Sequence, residues 1–260
     1  MRLPTSHSRR VKPTASGELL GRYARRILST RDEALARLKA ESAAETGQLV
    51  IAASTIPAEY LLPPVLARFR RAHPRVAVKV EVSDSRRALE SLLGEACDLA
   101  LIGSKNSDRR VSYISIGEDE VVLVAACPNP FTRAKRLTKK ELAGVPLIVR
   151  EEGSGTRQVV ANLLAQRAAA EPATPTVQVG STEMAKRCAL HGVGLALISL
   201  RAVSEELAAG RLELVAAAGL PARRRFFAAH LQKTTLPAAA KALLTLLARE
   251  HSNREPTNTR

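Results

Sequence analysis

Short, almost wholly apolar runs alternate along this chain with longer segments in which apolar residues recur every three or four positions. Residues 49–53 (LVIAA) are such a run, long enough for a buried strand and too short for a helix. Ser54 and Thr55 follow, hydroxyl residues of the kind that cap helix N-termini. Beyond them Leu62, Val65, Leu66 and Phe69 share one helical face, while Arg68, Arg70 and Arg71 point away. Pro63-Pro64 must kink this helix or restart it, and Pro74 stops it. Residues 76–82 read as a second strand, and Ser83-Asp84-Ser85 caps a helix through Ala88, Leu89, Leu92 and Leu93 that ends at Gly94. Residues 98–103 (DLALIG) are apolar enough to be buried on both faces of a sheet.

The same alternation continues to the C-terminus. Strands are expected at 113–116, 120–126, 145–149, 177–179, 195–200, 212–215 and 226–231. Helices are expected at 137–142, from 151–156 through Val159, Val160, Leu163 and Leu164, from Gly180-Ser181-Thr182-Glu183 to Gly192, near 207–209, and over 237–250. Strands alternating with helices imply an α/β fold with a mostly parallel sheet. A strand–hydroxyl–helix unit recurs near Ser54, Ser154 and Ser181. Each unit would place free backbone N–H groups and a positive helix end at one spot. Two lobes facing each other would bring those ends to a shared cleft, the geometry of a small-anion or small-acid binder.

The N-terminal part is different. Residues 1–16 are polar and basic, and a helical pattern runs over 17–44 with a narrow seam of Leu20, Tyr23, Ile27, Ala34 and Leu38. So thin a stripe suits a pairing element between two chains or a connector better than a core helix.

Composition narrows the class. The 260 residues are 45% hydrophobic and 25% charged, enough for one or two globular domains with a sizeable core. No apolar run has membrane-spanning length, and the N-terminus has no apolar signal region. Cys97, Cys127 and Cys188 lie far apart, which fits a reducing cytoplasm with buried structural thiols and argues against disulfides or zinc. A net charge of +15 suggests double-stranded DNA as a partner, whereas 3% aromatic residues and no Trp argue against single-strand stacking. Gly153-Ser154-Gly155 has the wrong spacing for a nucleophile elbow or a phosphate loop. His7, His73, His191, His230 and His251 have no metal-ligand spacing, and Glu151-Glu152 reads as solvated charge. Neither a catalytic group, nor a metal, nor a cofactor is expected, and the chain is read as a binder, not an enzyme.

Six stretches in order carry a resemblance: ASTIPAEYLLPPVLARFRRAHP (53–74), DLALIG (98–103), EDEVVLVAACPNP (118–130), LAGVPLIVREEGSGTR (142–157), GSTEMAKRCALHGVGLALIS (180–199) and LAAGRL (207–212). Together they resemble the LysR-type transcriptional regulators, in particular their effector-binding domain, which is similar to type 2 periplasmic solute-binding proteins. The resemblance implies a two-lobed α/β domain preceded by a long linker helix, acting as a homodimer or homotetramer in the cytoplasm. It divides the chain into a wing remnant (1–16), a linker or dimerisation helix (17–45), an effector-binding domain (47–250) and a disordered tail (251–260). Within the domain, lobe I would take about 47–121 and 226–250, and lobe II about 122–225. Carried over by position, Ser54, Thr55, Gly103 and Ser104 would hold a small anionic effector from lobe I. Ser154, Thr156, Ser181 and Thr182 would hold it from lobe II. Arg9, Arg10 and Lys12 would be the remnant DNA contacts of the wing. The helix-turn-helix expected ahead of that wing is absent from these residues, and Pro13 stands where the family usually has leucine. A solute-binding protein for a small anion or organic acid shares the fold and is the alternative. It would call for a signal or lipid anchor and no linker helix.

Overall fold

The computed structural model describes residues 47–133, 136–168, 176–232 and 235–252, together with residues 20, 23, 24, 27, 28, 30 and 31. Those seven N-terminal positions are helical, and Leu20, Tyr23, Ile27 and Leu28 among them are exposed. The rest of the expected linker helix, the wing with Arg9, Arg10 and Lys12, and residues 253–260 lie outside the described residues.

The first half of the domain is built on β1 (Gly47–Ser54), which runs parallel to β2 (Val76–Ser83) on one side and to β3 (Leu99–Ile102) on the other. Successive side chains of β1 alternate between two cores, as strand geometry requires. Leu49, Ile51 and Ala53 join a core with Val65 and Phe69 of α1 (Leu62–Ala72) and Leu243 and Leu247 of α8 (Ala238–Ser252). Ala52 faces the other way, toward Ala88, Leu89 and Leu92 of α2 (Ser85–Leu93). Phe69 is fully buried, and truncating such a ring to alanine costs roughly 3–5 kcal/mol. All four residues of β3 are buried, the two-sided coverage its unbroken apolar run predicts.

The second half repeats the plan. β5 (Leu147–Arg150) lies between β6 (Thr176–Val179) and β7 (Leu195–Ser199), parallel to both. Its flanking helices are α3 (Lys139–Ala143), α4 (Gly155–Val159), α5 (Ala161–Ala168), α6 (Thr182–Leu190) and α7 (Ser204–Ala208). Val121, Leu123, Leu147, Val149, Leu195 and Leu197 form a separate core there.

Two long strands join the halves: β4 (Val111–Ala126) and β9 (Ala222–Leu231). β4 pairs antiparallel with β9 from Val111 to Val121, then passes to β7 over Val121–Val124 and to the short β8 (Leu212–Leu214). The strand order is β2-β1-β3-β9-β4-β7-β5-β6, with β8 beside β4. The sheet is therefore parallel over β2-β1-β3 and over β7-β5-β6, and antiparallel wherever β4 or β9 pairs. A mostly parallel sheet holds only lobe by lobe.

One open alternative is decided and two local expectations change. Pro63-Pro64 restarts the helix: a π-helical turn over Pro57–Leu61 gives way to α1, whose first turn accepts both prolines. The two strands expected at 113–116 and 120–126 are one strand, bent by a register shift between Ser115 and Gly117. Ser54 and Thr55 do not cap the helical turn; its N-cap is Ile56, with no side-chain bond.

Candidate functional site

The C-terminal ends of β1, β3 and β5 meet in a cleft between the lobes. Released from capping, the Ser54 hydroxyl donates to the Leu101 carbonyl at 3.2 Å, tying β1 to β3. Thr55 reaches across to lobe II, where its Oγ1 lies 2.9 Å from Thr182 Oγ1. Between these hydroxyls stands Arg150, the last residue of β5 and only 3% exposed. Its Nη1 donates to Thr55 Oγ1 at 3.2 Å and to Thr182 Oγ1. Its other edge is held by Glu151, with Nε and Nη2 each 2.7 Å from a carboxylate oxygen. That fork is the strong bidentate form of an arginine–carboxylate pair. Glu151 is thus a structural partner and not the solvated charge its neighbourhood in sequence suggests.

A second guanidinium closes the floor. Arg224 of β9 donates from Nε and Nη2 to Asp119 Oδ2 at 2.9 and 2.7 Å, and from Nη1 to Thr156 Oγ1 at 3.0 Å. Asp119 also accepts from Ser199 Oγ at 2.9 Å. Burial pulls the Arg224 guanidinium below its ordinary pKa, against the opposing pull of Asp119. Arg224 therefore links the joining strands to α4, at whose start Ser154 caps the Thr156 N–H at 3.2 Å.

Glycines set how closely the lobes meet. A Cβ on Gly155 would stand 3.0 Å from the Gly103 carbonyl carbon, and one on Gly153 only 2.5 Å from Asp84 Oδ2. A side chain at Gly155 would press on backbone, and one at Gly153 would have to displace the Asp84 carboxylate. The cavity left between the lobes is about 10 Å³, room for roughly one water. It is lined by Ser54, Thr55, Gly103, Ser154 and Thr156 of the residues singled out in the sequence, and by Ser85, Arg150, Gly155 and Arg224 in addition. Thr182 enters through its bonds to Thr55 and Arg150. Ser104 is half-buried beyond Gly103 and does not line the cavity, and Ser181 spends its oxygen on the Met184 N–H at 3.1 Å as the cap of α6.

Arg150, Arg224 and Asp119 are the residues sequence reading missed. Nothing in their spacing separates the two arginines from the rest of the 40 Lys and Arg residues, or Asp119 from the rest of the 25 Asp and Glu. The only local signal is a charge directly abutting the apolar run of β5 and a charge triplet opening β9.

Chemically, the cleft offers hydroxyls and two buried guanidiniums, the donor set for an oxyanion, with one carboxylate, Asp84, also on the cavity lining and engaged as the cap of α2. None of its hydroxyls faces a histidine or carboxylate base, apart from Ser199, whose Asp119 partner is neutralised by Arg224. Among the described residues no group of His, Cys, Asp and Glu is placed to hold a metal. Of the cysteines, Cys97 and Cys188 are half-buried, whereas Cys127 is exposed, contrary to the expectation of buried thiols throughout.

Comparison with known proteins gives this geometry its setting. The LysR substrate binding domain profile matches residues 42–252. The HTH-type transcriptional regulator CbbR of Xanthobacter flavus is 33% identical over 245 residues, 93% of this chain and 72% of that protein. The phosphonates import ATP-binding protein PhnC of Anaeromyxobacter dehalogenans is 36% identical over 199 residues, but these make up 40% of its length. In three dimensions the chain resembles the CcmR regulatory domain of Synechocystis PCC6803 in complex with 2-PG. That match has a TM-score of 0.71 at 23% identity, over 80% of this chain and 99% of the other. On the profile and the Xanthobacter relative together, the chain belongs to the LysR family of transcriptional regulators, and residues 42–252 are its substrate-binding domain.

Proposed function

We propose that the cleft binds a small organic anion, and that this ligand biases the arrangement of a homodimeric or homotetrameric regulator acting on double-stranded DNA in the cytoplasm. The observation that carries the reading is Arg150, a buried cation whose Nη1 reaches hydroxyls from both lobes at once. A ligand oxyanion taking the place of the Thr55–Thr182 contact would touch both lobes and one guanidinium. Thr55, Thr182 and Thr156 are assigned as ligand-facing hydroxyls, Arg150 as the charge partner, and Ser54 and Gly103 as the lobe I floor. Lobe I is assigned 47–121 with 226–250 and lobe II 122–225, a division supported by the change of β4 partner at Val121. The ligand is sensed and not transformed, a reading supported by relatives named as transcriptional regulators. The net charge of +15 suits a polyanionic partner.

Thermal unfolding of the chain with a panel of small carboxylates and phosphorylated carboxylates, 2-PG among them, tests the reading. A ligand at 100 times its dissociation constant stabilises by about 2.7 kcal/mol, a readily measured shift. A selective shift that Thr182→Ala reduces supports the assignment. Equal shifts with every anion, or none with any, refute it.

A further inference from the structure

The interlobe cavity is not the roomiest in the domain. On the flank of the joining strands lies an open groove of about 1090 Å³, as large as a metabolite-sized pocket. Its floor is a charge ladder: Glu118, Asp119 and Glu120 of β4 stand opposite Arg225, Arg224 and Arg223 of β9. Strand alternation turns Asp119 and Arg224 into the protein and leaves Arg223 and Arg225 outward, roughly 7 Å apart along the strand. Tyr60 from lobe I and Leu200, Arg201 and Ser204 from lobe II complete the walls.

The charges on the lining, with their hydrogen bonds, decide what sign of ligand fits. All three carboxylates already accept from guanidiniums: Glu120 from Arg223 at 3.1 Å, Glu118 from Arg225 at 3.0 Å, and Asp119 from Arg224. Arg223 and Arg225 each use only Nε, so both terminal nitrogens of each remain without a hydrogen-bonded partner among the described residues. Glu118 and Glu120 each keep one oxygen without a hydrogen-bonded partner among the described residues, but four guanidiniums, Arg201 among them, line the groove against three carboxylates, so the net charge favours an anion. The two pairs are also exposed, and exposed pairs are weak, so a multiply charged anion displaces or shares them at little cost. Arg224 adds a connection: it lines this groove and also bonds Thr156 in the cleft.

We propose that this groove is a second ligand site, for a small polyanion whose two outer charged groups meet Arg223 and Arg225, coupled to the interlobe cleft through Arg224. Coupling of this kind is reciprocal: occupation of either site changes affinity at the other by the same factor.

Titration calorimetry of the 260-residue chain with inorganic tripolyphosphate, and with orthophosphate for comparison, tests the proposal. The expected result is one tripolyphosphate per chain, bound at least tenfold more tightly than orthophosphate. The Arg223→Ala/Arg225→Ala double variant should weaken it at least tenfold while keeping the unfolding midpoint, since both side chains are exposed. Thr182→Ala should still bind it. The proposal is overturned by no binding, by several weak sites that the double variant retains, or by loss in Thr182→Ala alone, which would move the anion to the cleft. A failed carboxylate screen of the cleft would leave this outcome unaffected.

Discussion

At the residue scale, the two buried arginines divide the work. Arg150 shares its charge between Glu151 and two hydroxyls, so removing one hydroxyl weakens a ligand's seat without orphaning the cation. Thr182→Ala is expected to raise the dissociation constant of a cleft ligand about tenfold, roughly 1.4 kcal/mol, by calorimetry. Arg224 has no such reserve. Asp119→Asn leaves a guanidinium 8% exposed without its counter-charge, and should cost roughly 3–5 kcal/mol in urea unfolding. A loss below 1 kcal/mol would mean that Thr156 and water carry Arg224 unaided. The thiols differ for a simpler reason. Burial pushes the Cys97 thiol up to about 11, so at pH 8 about one molecule in 1000 is thiolate. Alkylation at pH 8 should therefore modify exposed Cys127 well before Cys97; the reverse order would contradict the burial of Cys97. Thr55, Thr156 and Thr182 were named through the family resemblance, and the hydroxyls of all three bond an arginine in or beside the cleft. Arg150 and Arg224 were not legible, because their burial depends on partners 32 to 105 residues away.

At the scale of elements, pattern foretold most strands and helices of each lobe, since each buries one face against its neighbours. It failed where charge runs through the sheet. The strands expected at 120–126 and 226–231 leave out Glu118-Asp119 and Arg223-Arg224-Arg225, yet Glu118-Asp119-Glu120 and the three arginines stand opposite one another across the register of β4 and β9. Only the pairing makes either segment a strand. A helix start was better served by local rules: Asp84 caps α2 by accepting from the Arg87 N–H at 2.9 Å. Asp84→Ala should lower stability by about 1 kcal/mol in denaturant unfolding. Its carboxylate also fills the space beside Gly153 of lobe II, so the variant should leave that seam looser as well. An unchanged midpoint would assign the start of α2 to packing of Ala88 and Leu89 alone.

At the scale of the whole domain, the lobes are joined by two strands and closed on a cavity of about 10 Å³, too small for any organic anion. Binding therefore requires an opening, and affinity depends on how readily the lobes close again. The closest backbone-to-backbone approach among the glycines of the seam is Gly155 against Gly103. Because the contact is backbone on backbone, an added methyl group has no flexible side chain to push aside. Gly155→Ala should shift the population toward the open form without touching Arg150, Thr55 or Thr182. If the closed fraction falls to one tenth, the apparent dissociation constant rises tenfold, since the apparent value is the intrinsic one divided by the competent fraction. Small-angle scattering should then show a larger radius of gyration for the variant than for the parent, and a saturating cleft ligand should bring the two together. A variant with parental radius and parental affinity would show that the seam absorbs a methyl group, and would place the limit to closure in the bent strand at Ser115–Gly117 instead.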